Sequence, residues 1–220
     1  MEAVAIIAEF NPFHTGHAYL IRQVRRLSGT DAAIVVIMSG AFVQRGEPAF
    51  FDKWHRAAWA IEGGADAVIE LPAVYALSSA SGFALGGVTL AARLGCQSLA
   101  CGVENGTAED FLALARCAHS LPDREKEGPK ETAGREQTEY LLAASPKKGR
   151  LLEQPNALLA FEYAKALLNQ ERPLSFLPLP RQGRHGDTGL GATFASASAL
   201  RQAMTDHPGD EKPYISVSYT

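Results

Sequence analysis

The chain has 220 residues, 46% of them hydrophobic and 20% charged, which is enough for one sizeable core and incompatible with wholesale disorder. A net charge of -3 excludes adhesion to nucleic acid through bulk charge, because that affinity needs many Lys and Arg on phosphates, so any such contact is local. No run reaches membrane-spanning length, and the apolar N-terminus MEAVAIIAEF lacks the basic flank and cleavage site of a signal peptide. Three cysteines, Cys96, Cys101 and Cys117, lack metal-ligand spacing and fit structural free thiols; a cytoplasmic protein with no membrane partner is expected.

Residues 3–9 form a nearly continuous apolar run, the pattern of a buried parallel strand. A helix is predicted from His17 to Leu27, with Leu20, Val24 and Leu27 on its apolar side and Ser28-Gly29 as its stop. Arg22, Arg25 and Arg26 share the opposite side, read as a solvated basic face. Ala32 to Met38 is the second strand, Phe51 to Glu62 a helix closed by Gly63-Gly64, and Asp66 to Leu71 a third strand stopped by Pro72. Further helices are expected over Ser79 to Leu94 and Thr107 to Ala118, with a short strand at Ser98 to Cys101 between them.

Between Pro122 and Glu139 the composition turns polar, as for an exposed insertion. Asn156 to Asn169 then reads as an amphipathic helix, with Leu158, Phe161 and Leu168 inward and Glu162, Lys165 and Asn169 nearer water. Ser175 to Leu179 is another strand, followed by a Gly-rich loop from Gly183 to Gly191 and a last helix from Ser196 to Met204. Alternation of strand and helix predicts an α/β fold, a Rossmann-like parallel sheet with covering helices. One domain over residues 1–205 and a short tail over 206–220 are expected.

Glu9 to His17, EFNPFHTGH, lies where the first strand meets the first helix, the edge at which open parallel sheets bind ligands. Pro12 fixes the turn, and Gly16 removes a side chain where a base or ribose could lie. His14 and His17, three apart, project from the same side of a helical first turn. Free amides at a helix start attract phosphate, and two imidazoles donate to oxygens that gain charge during displacement at phosphorus. Mg2+ would share the charge of the triphosphate. A zinc pair would need a third ligand at recognisable spacing, so no metal ligands are assigned. In the later segment FASASALR, Ser196, Ser198 and Arg201 suit phosphate oxygens, although either serine alone reads as a helix cap.

These residues resemble the nucleotidyltransferase superfamily defined by a His-x-Gly-His motif and a later Ser/Thr-rich phosphate segment. More narrowly, the chain is similar to the bacterial tRNA(Met) cytidine acetate ligase family, on EFNPFHTGH (9–17), SGAFVQRGEPAFFDKWHRA (39–57), GGADAVIELP (63–72), PNALLAFEYAKAL (155–167) and FASASALR (194–201). The resemblance implies a nucleotidyltransferase-type fold and a two-step reaction. Acetate attacks the α-phosphate of ATP to give acetyl-adenylate, and the acetyl group passes to the wobble cytidine of elongator tRNA(Met). It places the catalytic role on His14 and His17, and ATP on Ile7, Ala8, Glu9, Phe10, Asn11, Pro12, Phe13, His14, Thr15, Gly16, His17, Ala18, Tyr19 and Leu20. Gly102, Asn156 and Arg181 join that set with Ser196, Ser198 and Arg201.

Read without the resemblance, Asn156 is equally a helix cap and Arg181 equally a surface charge. Lys53 and Arg56 read as a solvated helix face. Two departures stand out. The family continues into a further domain whereas this chain ends at Thr220, and Gly186 interrupts a loop where the family tends to carry an aromatic residue. A cofactor adenylyltransferase, or a nucleotide-binding module without tRNA acetylation, are the alternative expectations.

Overall fold

The computed structural model describes residues 2–120, 141, 143, 145–181 and 196–206. The expected insertion at 122–139, the Gly-rich loop at 183–191 with Gly186, and all but the first residue of the 206–220 tail lie outside the described residues. Five parallel strands, β1 (Ala3–Ala8), β2 (Ala33–Ser39), β3 (Ala67–Leu71), β4 (Ser98–Val103) and β5 (Ser175–Pro180), form one sheet in the order β3-β2-β1-β4-β5. The order reverses direction between β1 and β4, and a crevice opens at such a switch point. Pro178 and Pro180 are tolerated because β5 is an edge strand.

Alternation along β1 divides the core into two layers. Val4 and Ile6 join Ile34, Val36 and Met38 beneath α1 (Thr15–Ser28) and α2 (Lys53–Glu62). Ala5 and Ile7 join Ile37, Leu99 and Leu71 on the other face, which is covered by α3 (Ala73–Ala76), α4 (Ala80–Arg93) and α5 (Ala108–His119). Chain order continues with α6 (Pro146–Gly149), α7 (Pro155–Leu168) on that same face, and α8 (Ala197–Asp206). The small residues of α4 bring it close to the sheet: a Cβ on Gly87 would sit 2.6 Å from Ile7 Cδ1.

Three expectations are corrected. The first helix begins at Thr15, not His17, because His14 is its N-cap. The first strand stops at Ala8, short of Glu9, and Phe10 takes φ 48° as the chain turns out of the sheet. In α7 the buried set is Ala157, Ala160, Phe161, Tyr163, Ala164, Ala166 and Leu167, whereas Leu168 is exposed. Packing against both α4 and α5 covers more than one stripe of α7, so a single amphipathic face is the wrong pattern for it. α3 and α6, one turn each, carry too little periodicity to be read from sequence.

Candidate functional site

The turn after β1 is built on an aromatic floor. Phe10 and Phe13 are fully buried and meet edge to face at 5.0 Å, and a Cβ on Gly63 would lie 2.4 Å from Phe13 Cζ. His17 packs on both rings, at 4.7 Å from Phe10 and 5.8 Å from Phe13. The Asn11-Pro12 peptide is cis.

His14 and His17 form a reciprocal capping box at the start of α1. His14 Nδ1 accepts the Gly16 amide at 3.0 Å, and His17 Nδ1 accepts the His14 amide at 3.3 Å. An accepting Nδ1 bears no proton, so each neutral ring carries its hydrogen on Nε2. The rings stack with centroids 3.7 Å apart, and neither Nε2 has a hydrogen-bond partner among the described residues. Burial, assisted by the Arg181 charge, lowers the His14 pKa to about 3. Burial, then His14 and Arg181, holds His17 well below its ordinary value. Two neutral Nε2–H donors therefore sit side by side at a helix N-terminus.

Gly16 has a local role beside the one expected. A Cβ there would stand 2.8 Å from His14 Cε1, so the glycine makes room for the imidazole that caps the helix. Thr15, the first helical residue, has a buried hydroxyl with no partner among the described residues.

Arg201 of α8 reaches across the sheet edge to this turn. Its Nη1 donates to Asn11 O at 2.5 Å and its Nη2 to Ser198 Oγ at 3.3 Å. Ser196 caps α8 by accepting the Ala199 amide at 3.1 Å, the capping alternative for that serine. On the other side, Asn11 Oδ1 accepts the Phe50 amide at 2.7 Å, which ties the motif to the segment after β2.

Arg56 is neither solvent-facing nor available to phosphate. It is fully buried and donates to Phe51 O at 3.0 Å, to Glu9 O at 2.5 Å and to Gly40 O. It thus satisfies carbonyls at the ends of β1 and β2, a need that the sequence does not display. Lys53 does lie at the surface, paired with Glu70 at 2.6 Å. Arg25 departs from the expected basic face: it is half-buried, pairs with Asp66 at 2.5 Å and donates to Ala32 O, while Arg22 and Arg26 are exposed.

Gly102, Arg181 and Asn156 come together on the β4–β5 side. A Cβ on Gly102 would lie 2.9 Å from Arg181 Cγ, so this glycine lets the arginine side chain lie across β4. Arg181 is not a plain surface charge, since its field reaches both histidines. Asn156 is not the helix cap. Its Nδ2 donates to Glu104 Oε1 at 2.5 Å, and the same carboxylate receives the Ala157 amide at 3.1 Å, so Glu104 caps α7 from outside it. Nothing in the spacing of residues 104 and 156 announces this partnership. Glu104 also lies in the field of Arg181, linking the whole group.

Of the remaining positions, Ile7 and Ala18 are core side chains, Ala8, Tyr19 and Leu20 are half-buried, and Pro12 is buried in the turn. Glu9 is half-buried, and its Oε1 accepts the Gln44 amide at 2.6 Å. Burial raises the Glu9 pKa, against the Gln44 amide and the Arg56 and Arg201 charges.

The HIGH Nucleotidyl Transferase family model matches residues 1–218. The chain is 40% identical over 208 residues to tRNA(Met) cytidine acetate ligase of Leuconostoc mesenteroides, covering 93% of this chain and 52% of that protein. It is 41% identical over 206 residues to the protein of the same name in Lactobacillus delbrueckii, covering 93% of this chain and 53% of the other. Among solved structures, Thermotoga maritima TmcAL bound with alpha-thio ATP is 30% identical, with a TM-score of 0.83 over 98% of this chain and 53% of that one. Its apo form superposes with a TM-score of 0.86, also at 30% identity, over 98% of this chain and 54% of that one. The chain spans about half the length of the relatives it matches. With a matching family model over nearly its whole length and the strand order and histidine turn described above, the chain belongs to the HIGH nucleotidyl transferase family.

Proposed function

We propose that this chain binds ATP at the β1–β4 edge and activates acetate as acetyl-adenylate, for transfer to N4 of the wobble cytidine in elongator tRNA(Met). The observation that carries the reading is the stacked pair of neutral Nε2–H imidazoles at the α1 N-terminus. Donors fixed before the reaction stabilise charge that develops on phosphate oxygens, without reorganisation cost at that moment. The orphan Thr15 hydroxyl, Arg181 and Arg201 lie around the same turn and suit the same oxygens. Asn156, held by Glu104, and Gly102 form the nucleoside side. The T. maritima neighbour bound with alpha-thio ATP and the acetate-ligase names of the relatives support this choice.

In the reaction, a carboxylate oxygen of acetate bonds to the α-phosphorus as the bond to the pyrophosphate oxygen breaks. His14 and His17 hold the departing charge and need not exchange protons, because their depressed basicity keeps them as neutral donors. Among the described residues no group of three or more His, Cys, Asp or Glu is placed to hold a metal; Mg2+ would arrive on the triphosphate. That ion would supply charge neutralisation on the phosphates. Among those residues no helix is long and apolar enough to cross a membrane.

The test is exchange of labelled pyrophosphate into ATP. Acetate-dependent exchange is expected. Exchange that ignores acetate but appears with a mononucleotide or phosphopantetheine identifies a cofactor adenylyltransferase, and ATP binding with no exchange identifies a non-catalytic module.

A further inference from the structure

Tyr163 is a buried polar group beneath the crevice between β1 and β4. It lies on α7 seven residues after Asn156, two turns deeper on the same side of the helix. Glu104, just past the carboxyl end of β4, holds Asn156 and the start of α7, so α7 runs inward from the ligand edge. A long side chain on a helix inclines toward the helix N-terminus, which aims the Tyr163 hydroxyl back toward that edge. The ring shares a buried layer with Ile7 of β1 and with Cys101 and Val103 of β4, the two strands that flank the crevice. Tyr163 is 1% exposed, and its hydroxyl has no hydrogen-bond partner among the described residues. A buried hydroxyl left unpaired costs stability, so its retention calls for a partner from outside the fold.

We propose that the Tyr163 hydroxyl donates to one carboxylate oxygen of acetate and leaves the other oxygen free to face the α-phosphorus of ATP. The proposal rests on the acetate-ligase reading for its ligand, and depth decides which reactant Tyr163 meets. ATP and RNA are too large to reach a group shut from solvent below the strand ends, whereas a two-carbon acid is small enough. Ile7 and Val103 offer its methyl group apolar neighbours. Burial, then Cys101 and Glu9, raises the Tyr163 pKa well above its ordinary value, so the hydroxyl keeps its proton and remains a donor. Glu9 does not bar an anion from this place: the charges of Arg56 and Arg201 reach it and offset those of Glu9 and Glu47.

Tyr163→Phe tests the assignment, because it removes the oxygen and keeps the ring. Loss of an unpaired buried hydroxyl is expected to leave the Tm unchanged or to raise it. In pyrophosphate exchange the KM for acetate should rise about tenfold or more, while the KM for ATP stays within about twofold. Saturation-transfer NMR of acetate in the presence of α,β-methylene ATP reads the contact without turnover: a signal is expected with the unmodified chain and its loss in Tyr163→Phe. Ser39 Oγ, at the end of β2, is also buried without a partner among the described residues, but β1 separates it from the crevice, which makes it the control. Ser39→Ala should leave both KM values and the acetate signal unchanged.

No acetate contact with the unmodified chain, contact that persists in Tyr163→Phe, an equal rise in both KM values, or a lower Tm overturns the role of Tyr163. The same losses in Ser39→Ala also overturn it. An acetate contact that Tyr163→Phe removes, in a chain without acetate-dependent exchange, upholds the carboxylate site and is instead the failure of the acetate-ligase reading.

Discussion

At the residue scale, His14 carries two duties that substitution can separate. As an N-cap its ring nitrogen is replaceable, since Asn is among the best caps, so His14→Asn should hold stability within about 0.5 kcal/mol in thermal melts. The same protein has no Nε2–H donor and should lose on the order of 100-fold in acetate-dependent exchange. Gly16→Ala should displace the His14 ring, because a Cβ would meet it at 2.8 Å, and lower exchange while leaving nucleotide binding detectable by calorimetry. The pH dependence follows from the same ring. Its folded pKa of about 3 lies below the unfolded value, so between them the unfolded chain binds more protons. His14 therefore contributes stability that is present above about pH 6.5 and lost as pH falls, roughly 1 kcal/mol between pH 7 and pH 5.5. Denaturant melts of the unmodified chain should show this decline, and His14→Asn should show less of it.

At the scale of elements, two charged residues hold separate pieces of the edge together. Glu104, in the loop after β4, caps α7 and orients Asn156. Glu104→Ala should cost about 1 kcal/mol through the lost cap and weaken ATP binding in calorimetry, because the anchor of Asn156 is gone. Arg56 of α2 ties carbonyls from the ends of β1 and β2 to the segment before α2. Removing it in Arg56→Met takes the donor from one buried and two part-buried carbonyls, and a loss of about 3 kcal/mol is expected in denaturant unfolding. Lys53→Met, one turn earlier on an exposed pair, should change stability by less than about 1 kcal/mol.

At the scale of the whole molecule, the sheet was legible because parallel strands buried on both faces read as apolar runs, and β1 and β2 are of that kind. The histidine turn was legible because its residues adjoin in sequence. What sequence could not display was partnership across distance: Glu104 with Asn156, Gly102 with Arg181, Arg56 with the strand-end carbonyls, and Glu9 with Gln44. Each joins residues from different elements, and no spacing rule links them. On α7 the inward positions Phe161 and Leu158 were legible, whereas Leu168 and the wider buried set were not, since two neighbouring helices decide them. At the centre of the proposed site stands one chemical state, a pair of neutral imidazoles with protons on Nε2 at the start of α1. Nitrogen-15 NMR of histidine-labelled protein, with and without ATP, measures that state directly. The account predicts that Nδ1 of His14 and His17 resonates as an unprotonated nitrogen near neutral pH, and that ATP shifts both Nε2 signals; Nδ1-protonated or charged rings in the free protein, or Nε2 signals indifferent to ATP, would contradict it.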